Sequence, residues 1–111
     1  MTTYTMLKVM ADWKCWPLWP VRADGGLENP DPRELGLPDD LAERVIRWGR
    51  TYDSRIDPED FEAPLFDNPS DGSAFAEEGL GLAREVAEAV GGRFGLVRFY
   101  YPEDGRIVDV S

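Results

Sequence analysis

The chain has 111 residues, which is enough for one domain with one hydrophobic core, and we expect a single domain over residues 1–111. A composition of 42% hydrophobic, 12% aromatic and 31% charged residues excludes a disordered or fibrous chain. The formal net charge of −10 argues against nucleic acids and anionic membranes as partners, because both attract positive protein surfaces.

The residue types that carry common chemistry are scarce. Histidine is absent and Cys15 is the only cysteine, so the sequence offers no disulfide, no Cys–His pair and no zinc ligand set. Motifs for nucleotide binding or ester hydrolysis are also absent, and a calcium-loop-like run from Asp67 is broken at Pro69. We therefore expect no enzyme activity, no catalytic residues, no metal and no cofactor.

No targeting signal stands out. No apolar run reaches the roughly 18 residues that span a bilayer, and residues 1–11 lack the pattern of a signal peptide. The sequence therefore predicts a cytoplasmic location and no membrane partner.

The first predicted element is a strand over Tyr4–Asp12, where apolar residues alternate with other side chains. After it, Pro17 and Pro20 withdraw two backbone donors within eight residues. We expect residues 13–20 to form a structured loop.

Two amphipathic helices follow. The first is predicted from Pro38 to about Tyr52, with three arginines that pair locally with acids three or four residues away. The second should begin at a cap on Ser70 or Asp71 and end at Val90, before Gly91-Gly92. Between them we expect an ordered acidic loop. Its apolar anchors to the core are predicted to be Ile56, Phe61, Leu65 and Phe66.

The chain ends in a predicted hairpin, with strands over 94–101 and 106–110 joined by a turn at 102–105. The order β-α-α-β-β predicts an α+β fold in which both helices cover one face of a small, mostly antiparallel sheet. The uncovered face should carry apolar side chains and could serve a partner or an oligomer. Its predicted members are Met6, Met10, Phe94, Leu96 and Tyr100.

The negative charge is unevenly distributed along the chain. Residues 1–22 carry +2, whereas residues 53–88 hold eleven acids against two arginines, a local charge of −9. Such a surface either serves solubility or complements a basic protein partner. Both interpretations stay open at this point.

The most distinctive segment is the aromatic run around Trp13, Trp16 and Trp19. These rings either close one end of the core or form an exposed binding surface. Tyr52 with the carboxylates Asp12 and Asp53 would complete such a site, although capping or solvated roles explain both carboxylates equally.

The same segment carries a resemblance to known proteins. The motif Asp-x-x-Cys-x-Pro-Leu-Trp over residues 12–19, followed by a helix that ends with Trp48 and Tyr52-Asp53, resembles a group of short bacterial proteins. In character the chain is similar to immunity proteins, which neutralise bacterial toxins. This resemblance implies a non-enzymatic inhibitor of a basic protein partner; the alternative is a small-ligand module with an aromatic pocket around Trp13, Trp16, Trp19 and Tyr52.

Overall fold

A four-stranded sheet carries two helices on one of its faces in the computed structural model, which describes residues 2–111. In chain order the elements are β1 (Tyr4–Val9), β2 (Leu18–Arg22), a short 3-10 helix (Pro32–Glu34), α1 (Asp39–Arg55), α2 (Pro69–Val90), β3 (Leu96–Tyr100) and β4 (Ile107–Asp109). The predicted α+β class is confirmed. Neither helix in residues 2–111 is long and apolar enough to cross a membrane.

The sheet is mixed, with the strand order β2-β1-β3-β4. Two of its three strand pairs are antiparallel, but β1 and β3 run parallel. Parallel neighbours need a crossover connection, and the segment that contains both helices supplies it. The predicted mostly antiparallel sheet is therefore close to the observed one but misses this central parallel pair.

Strand β2 corrects the expectation of a loop over residues 13–20. Pro20 lies inside β2, opposite Leu7 of β1. The carbonyl oxygen of Pro20 accepts a hydrogen bond from the Glu28 N–H on the outer side of β2, at 2.9 Å. The nitrogen of Pro20 faces the same outer side, so the missing N–H removes no bond to β1.

The core lies between the sheet and the helices, with Trp48 of α1 at its centre. The Trp48 ring is 1% exposed and stacks on Phe75 of α2, with ring centroids 4.8 Å apart. Its Nε1 donates a hydrogen bond to the Phe75 carbonyl oxygen at 2.9 Å. The amphipathic pattern predicted for the first helix places Leu41, Val45, Trp48 and Tyr52 on one face; the first three are buried, and Tyr52 packs against the core partly buried.

The second face of the sheet carries no helix. Four of its five predicted members, Met6, Met10, Leu96 and Tyr100, are half-buried, since they alternate with buried residues of the core face. The prediction for the fifth member, Phe94, is wrong. Phe94 is 5% exposed and belongs to the core, because it precedes β3 and packs against Tyr4.

The second helix begins earlier than predicted. Its cap is Asn68, whose Oδ1 accepts a hydrogen bond from the Asp71 N–H at 2.9 Å, and not Ser70 or Asp71. Pro69 occupies the first helical position, where its missing N–H costs nothing.

The arginines of α1 also differ in part from the prediction. Arg44 pairs with Asp40 as expected, and its guanidinium additionally forms a bidentate bond with Glu85 of α2, at 2.7 and 2.8 Å. Within residues 2–111, Arg47 and Arg50 form no ion pair. Arg44 therefore joins the two helices across their exposed seam.

Candidate partner-binding site

A tight turn follows β1 and is held by the two carboxylates that the sequence singled out. The Asp12 side chain accepts a hydrogen bond from the Trp13 N–H at 2.8 Å, and the Asp12 carbonyl accepts one from the Cys15 N–H at 3.2 Å. Asp53, at the end of α1, accepts the Lys14 N–H at 3.1 Å. Lys14 adopts a φ of 56°, in the left-handed region, and the bond to Asp53 helps to hold it there. Both carboxylates therefore position the turn.

A residue that sequence reasoning missed fixes the rest of this segment. Asn29 accepts a hydrogen bond from the Trp16 N–H at 2.9 Å and donates to the carbonyl oxygens of Trp16 and Leu18, at 2.7 and 3.0 Å. One amide side chain thus satisfies three backbone groups of the stretch that leads into β2. Its only signal in the sequence was its place before Pro30, which is typical of an ordinary turn.

The three tryptophans diverge. Trp13 lies at the tip of the turn and meets Phe61 edge to face, with ring centroids 5.9 Å apart. Trp16 lines a cleft against α1. Trp19 lies on β2 among the side chains of the uncovered sheet face, where its Nε1 donates to the Met10 carbonyl at 2.9 Å. They therefore form no single cluster.

The cleft beside Trp16 has a volume of about 310 Å³. It is lined by Lys14, Cys15, Trp16, Pro17, Ile46, Gly49, Arg50 and Asp53. Trp13, Trp19 and Tyr52 are not among these residues, so this cleft is not the aromatic pocket expected around all four rings. The cleft combines one indole ring with two cations and one carboxylate.

Burial and charge keep the neighbouring titratable groups neutral. Desolvation raises the pKa of the Cys15 thiol, and the negative charges of Asp12 and Asp53 raise it further. The pKa of the Tyr52 phenol is raised by the same causes in the same order. The thiol is therefore protonated at neutral pH and is a poor nucleophile.

The loop between the helices contains two phenylalanines that were expected to anchor it to the core, and the expectation is wrong for one of them. Residues 56–68, here called the acidic loop, contain five acids and no basic residue. Phe66 packs against Phe75 as an anchor to the core, as expected. Phe61, also expected to be an anchor, is instead 61% exposed, and its ring meets Trp13 edge to face.

Together these groups form one end of the molecule, which we call the aromatic–acidic end. Its members are Asp12, Trp13, Tyr52, Asp53 and the acidic loop. A groove of about 350 Å³ runs along it, lined by Tyr52, Phe61, Glu62 and Glu103 among others. Four of the six predicted site residues lie here, whereas Trp16 lines the adjacent cleft, which it shares with Asp53, and Trp19 lies on β2. Within residues 2–111, no three acidic, cysteine or histidine side chains converge closely enough to hold a metal ion.

A protein-family model matches most of the chain. A family model described as Serratia CdiI immunity protein-like matches residues 5–103, which are 99 of the 111 residues. The matched span contains all of β1 except Tyr4, β2, both α-helices, β3 and the whole aromatic–acidic end. A comparison with curated protein sequences finds no match.

Proposed function

We propose, since this chain belongs to the Serratia CdiI immunity protein-like family, that it is a non-enzymatic inhibitor that binds a toxin protein and blocks its action. The absence of histidine and the protonated state of the Cys15 thiol agree with a role that requires binding alone.

The aromatic–acidic end is the surface that we assign to the toxin. The observation that carries this assignment is the exposed Phe61 ring, which is seated against Trp13 and flanked in the sequence by Asp60 and Glu62. A large exposed ring loses contact with water when a partner covers it, and such aromatic anchors at the centre of an interface supply most of the binding free energy. The five acids of the loop then favour a toxin whose contact surface is basic.

A second candidate is a small-ligand module at the cleft beside Trp16. Its volume of about 310 Å³ is at the lower end of the range for ligand pockets, and Lys14 and Arg50 would favour a planar anion over the indole ring. Benzoate at millimolar concentration should then shift the amide resonances of Trp16 and Gly49, and unchanged resonances would remove this candidate.

Calorimetric titration with toxin domains cloned from the genome that encodes this chain tests the first candidate. We expect Trp13→Ala and Phe61→Ala each to weaken binding by about thirtyfold, the effect of losing an interface anchor. Leu27→Ala is the matched control, because Leu27 is 52% exposed but lies beside β2, away from the aromatic–acidic end. Phe61→Ala removes an exposed ring and should leave the circular dichroism spectrum unchanged.

Two outcomes would contradict the proposal. The wild-type chain could fail to bind the toxin domains at all, which would remove the inhibitor function. If Phe61→Ala and Leu27→Ala had equal effects on binding, the inhibitor function would stand, but the aromatic–acidic end would be excluded as the toxin-binding surface.

A further inference from the structure

The two edges of the sheet differ in how their backbone groups are satisfied. The outer side of β2 is covered by residues 26–28: the Arg22 N–H donates to the Gly26 carbonyl at 2.8 Å, and Val21 forms a bridge with Leu27. The outer side of β4 has no such cover, since none of residues 2–111 pairs with it. Unpaired edge strands are places where another strand can add.

The hydrogen bonds at the ends of β4 identify which of its backbone groups point outward. The Val110 N–H donates to the Val97 carbonyl at 2.9 Å, and the Tyr101 N–H donates to the Arg106 carbonyl at 2.8 Å. Antiparallel pairs alternate between bonded and non-bonded positions, so Val108 also faces β3. The N–H and carbonyl groups of Ile107 and Asp109 therefore point away from the sheet, and they can bond an added strand.

The side chains along this edge do not repel an added strand. Edge strands are commonly protected by unpaired charges, but Asp109 is engaged by Arg98 of β3 at 2.6 Å. Ile107 is 49% exposed. It is one of three large apolar residues in residues 2–111 that are exposed to solvent. The edge thus presents an apolar side chain and, two residues later, a half-exposed carboxylate.

This edge also continues from the aromatic–acidic end. The turn that leads into β4 contains Pro102 and Glu103, and both line the groove that Tyr52 and Phe61 border. A partner seated on Phe61 therefore lies next to the start of the open edge.

We propose that the toxin contributes an extended segment that adds to β4 as an antiparallel fifth strand. In this arrangement the residue opposite Asp109 precedes the residue opposite Ile107 by two positions. Cross-strand pairing favours a basic residue opposite Asp109 and a β-branched one opposite Ile107, which is the pattern basic-x-apolar. The inference rests on the proposed inhibitor function, and it specifies that the toxin binds through an extended segment.

Hydrogen exchange measured by NMR tests it, with the toxin domain as the first probe. The Ile107 and Asp109 amides should exchange rapidly in the free protein and become protected in the complex. Ile107→Pro removes an outward N–H at the first residue of an edge strand and should weaken binding by about tenfold, the equivalent of losing one or two hydrogen bonds. Ile107→Ala, which keeps the N–H, is the matched control and should have a smaller effect.

A second probe separates failure of this inference from failure of the inhibitor function. The peptide acetyl-Thr-Val-Thr-Arg-Thr-Val-Thr-amide contains the predicted pattern, and its variant with Glu in place of Arg does not. Millimolar Arg peptide should slow exchange at the Ile107 and Asp109 amides more than the Glu peptide does, whether or not the toxin binds.

Three results would overturn the strand addition. In the first, the toxin binds through Phe61, but both amides exchange as in the free protein and Ile107→Pro binds like wild type; the inhibitor function then stands. In the second, the toxin does not bind and neither peptide protects the amides. In the third, the amides become protected in the free protein as its concentration rises and a dimer appears, so a second copy occupies the edge.

Discussion

At the scale of single residues, the Cys15 thiol reports the electrostatics of the turn. Burial and the two nearby carboxylates disfavour its thiolate, so its alkylation by iodoacetamide should have a midpoint above the pH of about 8.5 typical of free cysteine. Asp53→Asn keeps an oxygen for the Lys14 N–H but removes the charge, and it should move the midpoint to lower pH. Glu88→Gln, an exposed change on α2, should leave the midpoint in place. If the midpoint were the same in Asp53→Asn as in the wild type, the Asp53 carboxylate would lie too far from the sulfur to affect the pKa of the thiol.

The residue scale also shows what the sequence could and could not predict of the site. Asp12, Trp13, Tyr52 and Asp53 were predictable because each stands where a regular element ends, and element ends meet at one end of a small domain. Trp19 lies elsewhere because β2 turns it onto the uncovered sheet face. The exposure of Phe61 could not be foreseen, since an aromatic ring in an acidic loop is equally consistent with an anchor, as Phe66 shows.

At the scale of elements, the approach of α2 to the core depends on Gly79. A methyl group there would contact the Trp48 ring, with Cε2 at 2.6 Å, and Cε1 of Phe99 at 2.9 Å. Both rings are fully buried and cannot move aside, so Gly79→Ala should destabilise the fold by about 1–3 kcal/mol. Gly81, two residues later, has nothing within 4 Å of such a methyl group. Gly81→Ala should therefore stabilise the helix by about 0.5–1 kcal/mol. Urea unfolding midpoints measure both, and shifts of the same sign would refute the close packing at Gly79.

Helices and edge strands differ in how well local sequence predicts them. Both helices were found because the 3.6-residue pattern of apolar residues is long, and the errors were confined to their ends, as at Asn68. Strand β2 was missed because prolines normally exclude a strand; only the direction of the Pro20 carbonyl shows why this edge tolerates one. The parallel pairing of β1 with β3 follows from the path of the chain through both helices, which local sequence does not specify.

At the scale of the whole molecule, the negative charge is unevenly distributed. The uncovered sheet face carries Lys8 and Arg98 among apolar side chains, with Asp109 as the acid paired to Arg98. The acidic loop lies at one end of the helices and carries no base. A protein with a net charge of −10 therefore still presents two surfaces of different character, and only the acidic one should attract a basic toxin at a distance.

Two double substitutions distinguish the local field of the acidic loop from the total charge of the protein. Glu59→Gln with Glu62→Gln removes two charges from the acidic loop without touching the turn bonds, which use the side chains of Asp57 and Asp60. The rate of association with the toxin, measured by stopped flow at low salt, should fall by on the order of three- to tenfold. Its salt dependence should become shallower, while the dissociation rate stays nearly constant.

The control, Glu34→Gln with Glu88→Gln, changes the net charge equally but at the other end of the molecule. Glu88 lies about 28 Å along α2 from Pro69, and Leu35, next to Glu34, accepts a bond from Arg93 beyond the helix end. Because salt screens charges over about 10 Å, this second pair should slow association far less. Equal slowing by both pairs would mean that net charge alone governs the encounter, and the acidic loop would lose its assigned part in it.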